Sequence, residues 1–195
     1  MGGILILVSV AVTTLLYAGR YPKILPVFFL TLGFGLIGFF DDYLKVVRRN
    51  SVGLRPWQKM AGQLLVTGMF AWYLFYIGVL PQAMRIPFAK GRYLKLGHLE
   101  IPFLFLVVTG TANGTNFTDG LDGLVSSVTV MVATFFTVVS MGLGAGIEPI
   151  TCAVAGALLG FLLFNVHPAS VFMGDTGSLA LGGFVAGCAY MMQMP

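Results

Sequence analysis

Charge is scarce in this sequence. Asp, Glu, Lys and Arg make up 9% of its 195 residues, where a soluble domain carries about 25%. The shortage excludes an ordinary soluble domain, and with 57% hydrophobic residues and a mean hydropathy of +0.92 it points to an integral membrane protein. Cysteine is almost as rare. Cys152 and Cys188 each sit inside an apolar run, where a thiol is ordinary packing, so neither a disulfide nor a metal site is expected from them. Short segments of alternating polarity along the whole chain, the mark of a transmembrane barrel, are missing, and the long apolar runs argue for helices instead. No basic leader with a cleavage site precedes Ile4, so the first apolar run does not read as a signal peptide. There is no internal repeat and no low-complexity tract. The net charge of +4, from 11 basic and 7 acidic residues, suits anionic lipid head groups or a phosphorylated substrate and gives no indication of nucleic acid.

What the sequence does have is a series of apolar runs, each near the length of about 20 residues needed to cross a bilayer. They predict an all-α polytopic bundle of about seven spans, at about 4–19, 24–40, 60–80, 101–116, 124–141 and 149–166, with a seventh run to the end. Residues 81–100 form the longest polar connection, where alternation around Arg92, Leu94, Leu96 and His98 suggests a small β-hairpin turning at Lys90-Gly91. The whole chain, 1–195, reads as a single transmembrane domain. Span three ends with Trp72, Tyr73 and Tyr76, as expected near a membrane interface.

Three polar islands interrupt the apolar pattern. The first is F-F-D-D-Y-L-K, Phe39 to Lys45. Asp41 and Asp42 are successive residues, about 100° apart on a helix, so one can face a site while the other holds a neighbouring backbone or a cation; Lys45 lies at ion-pair spacing from Asp41. The second is N-G-T-N-F-T-D-G-L-D-G-L, residues 113–124, in which Asp119 and Asp122 would share a face if the segment is helical. The third is N-V-H-P-A-S-V-F-M-G-D-T-G-S, residues 165–178. Counting crossings brings all three out on one side of the membrane, which makes their carboxylates functional suspects rather than chance polar residues. Each island also has a plainer reading. Asp41–Lys45 would be a surface ion pair, the acids of 113–124 helix caps after a polar turn, and Asp175 or Ser178 a cap for the last helix.

Orientation is not readable from charge. Lys45, Arg48, Arg49, Arg55 and Lys59 lie on the motif side, against Arg20, Lys23, Arg85, Lys90, Arg92 and Lys95 on the other.

Chemically, carboxylates, amides, glycines and a basic loop at one interface suggest phosphoryl transfer, in which a protein mainly positions groups and neutralises charge. Mg²⁺ takes hard oxygen ligands, usually one or two carboxylates with waters and substrate phosphates. Asp175, followed by small residues that let a phosphate approach, is the expected ligand, and Asn116 offers a neutral oxygen beside it. His167, ahead of Pro168, serves as a helix end, a phosphate contact or a proton shuttle. Phe172 beside Gly174 is placed to stack on a planar ring, or simply to pack.

The three islands, in this order, resemble the motifs of the bacterial phospho-N-acetylmuramoyl-pentapeptide-transferases, a branch of the polyprenyl-phosphate sugar-1-phosphate transferases. The likeness covers essentially the whole chain, and T-D-G-L-D-G-L with H-P-A-S-V-F-M-G-D points to the muramoyl-pentapeptide branch. It implies a Mg²⁺-dependent transfer from UDP-N-acetylmuramoyl-pentapeptide to undecaprenyl phosphate, releasing UMP and forming the first lipid-linked peptidoglycan precursor, lipid I. It also implies a bacterial inner (cytoplasmic) membrane, with the motif face in the cytoplasm where the nucleotide substrate is, and it allows a homodimer. By matching motifs, Asp41 would deprotonate or orient the lipid phosphate with Asp42 and Lys45 beside it, and Asp119 would organise the sugar-phosphate end of the nucleotide. Gly120, Leu121, Asp122 and Phe172 would form the uridine pocket, Asn165 and Gly174 would join the substrate-binding set, and His167 the catalytic one. Whether transfer is direct or passes through a phospho-enzyme is not implied.

The family normally has a span and a basic loop before the T-M-G-G element, of which Met1-Gly2-Gly3 is the remainder, and further spans with a His-rich motif beyond Pro195. The expectation is therefore a piece of a longer polytopic protein, inactive by itself, with Gly182, Gly183 and Gly187 left as an unoccupied small-residue face. Two rivals remain: a sister enzyme acting on UDP-N-acetylglucosamine, and a transporter using membrane acids as ion sites.

Overall fold

The computed structural model describes residues 2–48, 53–78, 84–85, 93–94 and 97–194. Among them are seven α-helices: α1 (Gly3–Tyr17), α2 (Ile24–Val46), α3 (Pro56–Tyr76), α4 (Glu100–Thr118), α5 (Leu124–Leu143), α6 (Glu148–Asn165) and α7 (Gly174–Met191). Their starts follow from the sequence. Pro26, Pro56, Pro102 and Pro149 all stand in a first turn, where a missing N–H costs nothing. Two short strands, β1 (Met84–Arg85) and β2 (Tyr93–Leu94), pair antiparallel with Met84 opposite Leu94. The turn expected at Lys90-Gly91 lies outside the described residues, as do Arg49, Arg92 and Lys95.

α2, α5 and α6 are each long and apolar enough to cross a membrane, while α1 is apolar but shorter. The outer surface carries Leu15, Leu16, Leu65, Phe75, Leu106, Met131, Val138 and Leu163, all exposed, as a surface facing hydrocarbon requires. This is a helical membrane protein.

The bundle is built around α7, which packs along α2 and α4 and also meets α1 and α5. Its sequence explains why. Gly177, Ser178, Ala180, Gly182, Gly183, Ala186, Gly187 and Cys188 keep it thin enough for neighbouring backbones to close in. This corrects the expectation of an unoccupied glycine face. A Cβ on Gly182 would strike the α4 backbone at Ala112, one on Gly183 would meet Leu30, and one on Gly187 would meet Val27. The three glycines are the contact itself.

α2 runs to Val46, six residues beyond the expected end of its span, and so carries Asp41, Asp42 and Lys45 inside the helix. α4 stops at Thr118. Asp119 and Asp122 therefore lie on the turn into α5, and the condition for a shared helix face, a helical segment there, is not met. The turn ends at Gly123, whose φ of +73° suits the glycine there. The helices alternate in direction, so the starts of α1, α3, α5 and α7 meet the ends of α2, α4 and α6 at one end of the bundle.

Candidate functional site

The first turn of a helix leaves its N–H groups without partners and carries the positive end of the helix dipole. In α7 those groups are taken by a carboxylate from another helix. Asp42 Oδ1 accepts from Asp175 N at 3.2 Å, while its Oδ2 accepts from Thr176 N at 3.0 Å and from Thr176 Oγ1 at 2.6 Å. Asp42 thus does what its spacing from Asp41 allowed, holding a neighbouring backbone. Neither Asp175 nor Ser178 caps α7 with its own side chain. The approach depends on glycine twice over. Gly174 has φ +74°, and a Cβ there would meet the Asp42 carboxylate. Its place is against Asp42, where it lets the carboxylate approach the start of α7.

Asp41, next along α2, turns toward the α2–α3 connection. Its Oδ1 accepts from Leu54 N at 2.7 Å and its Oδ2 meets Lys45 Nζ at 2.5 Å, one turn on. Asp175 is the hub. Its Oδ2 is 2.7 Å from Lys59 Nζ and 3.4 Å from Lys45 Nζ, and its Oδ1 accepts from Asn116 Nδ2 at 2.9 Å. Asn116 Nδ2 also lies 2.8 Å from Ser178 Oγ, which in turn donates to Gly174 O. One oxygen from each of Asp41, Asp42 and Asp175 lies within 4.8 Å of the others. Residues 133 positions apart in sequence are thereby brought to one point.

Asp119, just past the end of α4, belongs to the same field. Burial pushes its carboxyl up from the ordinary 3.8 to about 6, and the negative charges of Asp175 and Asp42 push in the same direction. Four carboxylates thus face two lysines, Lys45 and Lys59, leaving an excess of negative charge that a cation would relieve.

The remaining sequence-selected residues gather around a second contact at the same end. Asp122 Oδ2 accepts from Ala169 N and lies against His167 Nδ1, each at 3.1 Å, tying the α4–α5 turn to the α6–α7 loop. His167 is otherwise largely exposed, and its described contact is with Asp122 rather than with the carboxylate cluster. Leu121, Gly120 and Phe172 are exposed nearby. Asn165 has a structural role that its sequence position did not indicate. It is buried, accepts from Ser126 Oγ at 2.8 Å and donates to Val171 O at 3.0 Å, so both ends of its amide hold the loop in place. The loop is held from the other side by Gly2 N and Gly3 N, which donate to the carbonyls of Phe172 and Met173.

Sequence reasoning counted Lys59 only as loop charge. The signal that places it was available: Pro56 at the start of α3 puts Lys59 in that helix's first turn, facing inward. Gln63, one turn further along α3, was not singled out at all.

The donor set fits Mg²⁺, being three hard carboxylates gathered within one ion's reach. Asn116 touches Asp175 through its amide nitrogen, so it reaches a cation there as an oxygen ligand only after rotation of the amide.

The sequence profile described as glycosyl transferase family 4 matches residues 24–193, from the start of α2 to just past the end of α7, and takes in every member of the cluster. The chain belongs to glycosyl transferase family 4. It is similar to a protein of Acetivibrio thermocellus named phospho-N-acetylmuramoyl-pentapeptide-transferase, with 48% identity over all of this chain and 59% of the relative. A protein of the same name from Clostridium perfringens is 43% identical over all of this chain and 61% of its own length. The chain spans about three-fifths of the length of these family 4 relatives.

Proposed function

We propose that this protein transfers phospho-N-acetylmuramoyl-pentapeptide from its UDP-linked precursor to undecaprenyl phosphate, releasing UMP and forming lipid I. The observation that carries this reading is the meeting of Asp41, Asp42 and Asp175 beside Lys45 and Lys59 at one end of a membrane bundle. The relatives' shared name supplies the substrate class. Transport, the rival from another class, fits less well, because transporter sites lie near the bilayer midplane on interrupted helices.

In this reading Mg²⁺, held by Asp175 with Asn116 or Asp41 alongside, supplies charge neutralisation at the diphosphate. The chain's own groups do the rest. Lys59 and Lys45, which lie against Asp175, would hold phosphate oxygens. Asp41 orients the lipid phosphate or accepts its proton, and Asp119 lies beside the sugar-phosphate end. Asp42 fixes the first turn of α7, so that Asp175 is presented without rearrangement, which is how preorganised charge lowers a barrier. Exposed Gly120 and Leu121 on the α4–α5 turn, with Phe172 on the α6–α7 loop that Asp122 ties to that turn, form the wall for the uracil ring.

The same proposal places all seven helices across a bacterial inner membrane as one transmembrane catalytic domain. The β1–β2 pair lies on the far side, and the site faces the cytoplasm, where nucleotide sugars are. A homodimer rests on the resemblance alone. The test is UMP release by the full-length protein with Mg²⁺ and polyprenyl phosphate, comparing UDP-N-acetylmuramoyl-pentapeptide with UDP-N-acetylglucosamine. Turnover of the first alone is expected. Preference for the second would assign the protein to the sister activity.

A further inference from the structure

One polar feature of the bundle has no place in this chemistry. Gln63 of α3 and Asn113 of α4 bond reciprocally inside the bundle. Gln63 Nε2 donates to Asn113 Oδ1 at 3.2 Å, and Asn113 Nδ2 donates to Gln63 Oε1 at 2.7 Å. Gln63 is completely buried. Among the described residues these are the side-chain hydrogen bonds joining α3 to α4. The nearby hydroxyls of Thr67 and Thr109 turn back onto their own helices, to Gln63 O and Phe105 O.

We infer that Gln63 and Asn113 are positioning residues, whose reciprocal amide pair fixes the register of α3 against α4 and with it the height at which Lys59 and Asn116 meet Asp175. The inference rests on the transferase reading only for its consequence in turnover. α3 leaves the site end and α4 returns to it. Lys59 is four residues before Gln63, and Asn116 is three residues after Asn113, so the pair lies one turn beneath both groups. Lys59 grips Asp175 Oδ2 and Asn116 grips Asp175 Oδ1. Apolar side chains allow two helices to slide with little change in contact. An amide pair does not, because a slip strands donors and acceptors in an apolar interior. Sliding by one residue, about 1.5 Å along the axis, would shift Lys59 and Asn116 together relative to Asp175 and loosen both contacts.

The test uses the full-length protein and four variants: Gln63→Leu, Asn113→Leu, both together, and the exchange Gln63→Asn with Asn113→Gln, which keeps the combined length of the pair. Spin labels on cysteines replacing exposed Leu65 and Leu106 report the α3–α4 register by distance, independently of turnover. The distance should shift or broaden in the three Leu variants and return to the parent value in the exchange. kcat should fall at least tenfold in the Leu variants, with a higher Mg²⁺ half-saturation, and recover to within about threefold in the exchange. The double Leu variant is informative because removing both partners leaves no orphaned amide, so its folding should be close to normal. Unchanged distances in all four variants would overturn the inference, whatever the turnover, as would parent kcat and metal half-saturation in the double Leu variant. If the distances move as expected but the parent shows no Mg²⁺-dependent transfer, the register lock stands and the transferase reading fails.

Discussion

Adjacent acids on one helix have separate duties here. Asp42 accepts three hydrogen bonds from the first turn of α7, whereas Asp41 faces Lys45 and Leu54. A carboxylate buried this way is an anchor, and its neighbour is free for chemistry. Asp119 is the residue whose proton should be most revealing. Its folded value of about 6 lies above the ordinary 3.8, so between those values the folded form holds a proton that the unfolded form has released. Ionising Asp119 therefore costs stability. That cost is absent below about pH 4, grows through the window, and is complete above about pH 6. Asp119→Asn should accordingly match the parent's melting temperature at pH 4 and exceed it at pH 7, measured in detergent without divalent metal. A gap that is already full at pH 4, or that shrinks with rising pH, would show that burial and the charges of Asp175 and Asp42 do not raise the Asp119 carboxyl. The acids themselves were legible in the sequence as polar islands. Their partners were not, because Asp42 meets Thr176 across 134 positions and Asn165 meets Ser126 across 39. No local spacing rule reports such contacts.

Helices are the scale at which sequence was most informative. Apolar run length locates all seven, and apart from the end of α2 to within a few residues. The exceptions are physical. α2 continues past its apolar run because its last charged residues find partners on α7 and on the α2–α3 connection. α7 looked like an open face because a glycine stripe is compatible with either an absent or a present neighbour. The structure puts α2 and α4 against it. Gly182→Leu should therefore be severe, since the added side chain has no space beside Ala112. A loss of about 2 kcal/mol or more is expected from overpacking of this kind. Gly160→Leu on α6 is the control, for it opens onto free surface. Thermal unfolding of the two variants should separate them clearly. Equal melting temperatures would mean that α7 is not held as described.

For the whole molecule, alternation of helix direction is what converts three distant motifs into one site, and it also fixes which loops share a side. With Cys152 and Cys188 replaced by Ser, a cysteine at exposed Leu121 should resist an impermeant maleimide in intact cells, while one at exposed Arg20 should label. The reverse pattern would place the site outside and separate it from any cytosolic nucleotide. The most direct test of the central claim compares Mg²⁺-dependent UMP release by full-length parent, Asp175→Asn and Asp119→Asn at saturating metal. Asp175→Asn keeps the shape but removes an anionic oxygen from the proposed metal ligand, so it should fold yet lose turnover by at least a hundredfold. Removing such a charge contact is commonly worth about 3 kcal/mol or more. Asp119→Asn should be slower than the parent but still bind metal. Near-normal turnover in Asp175→Asn with a dead Asp119→Asn would contradict this, and would move the metal to the end of α4.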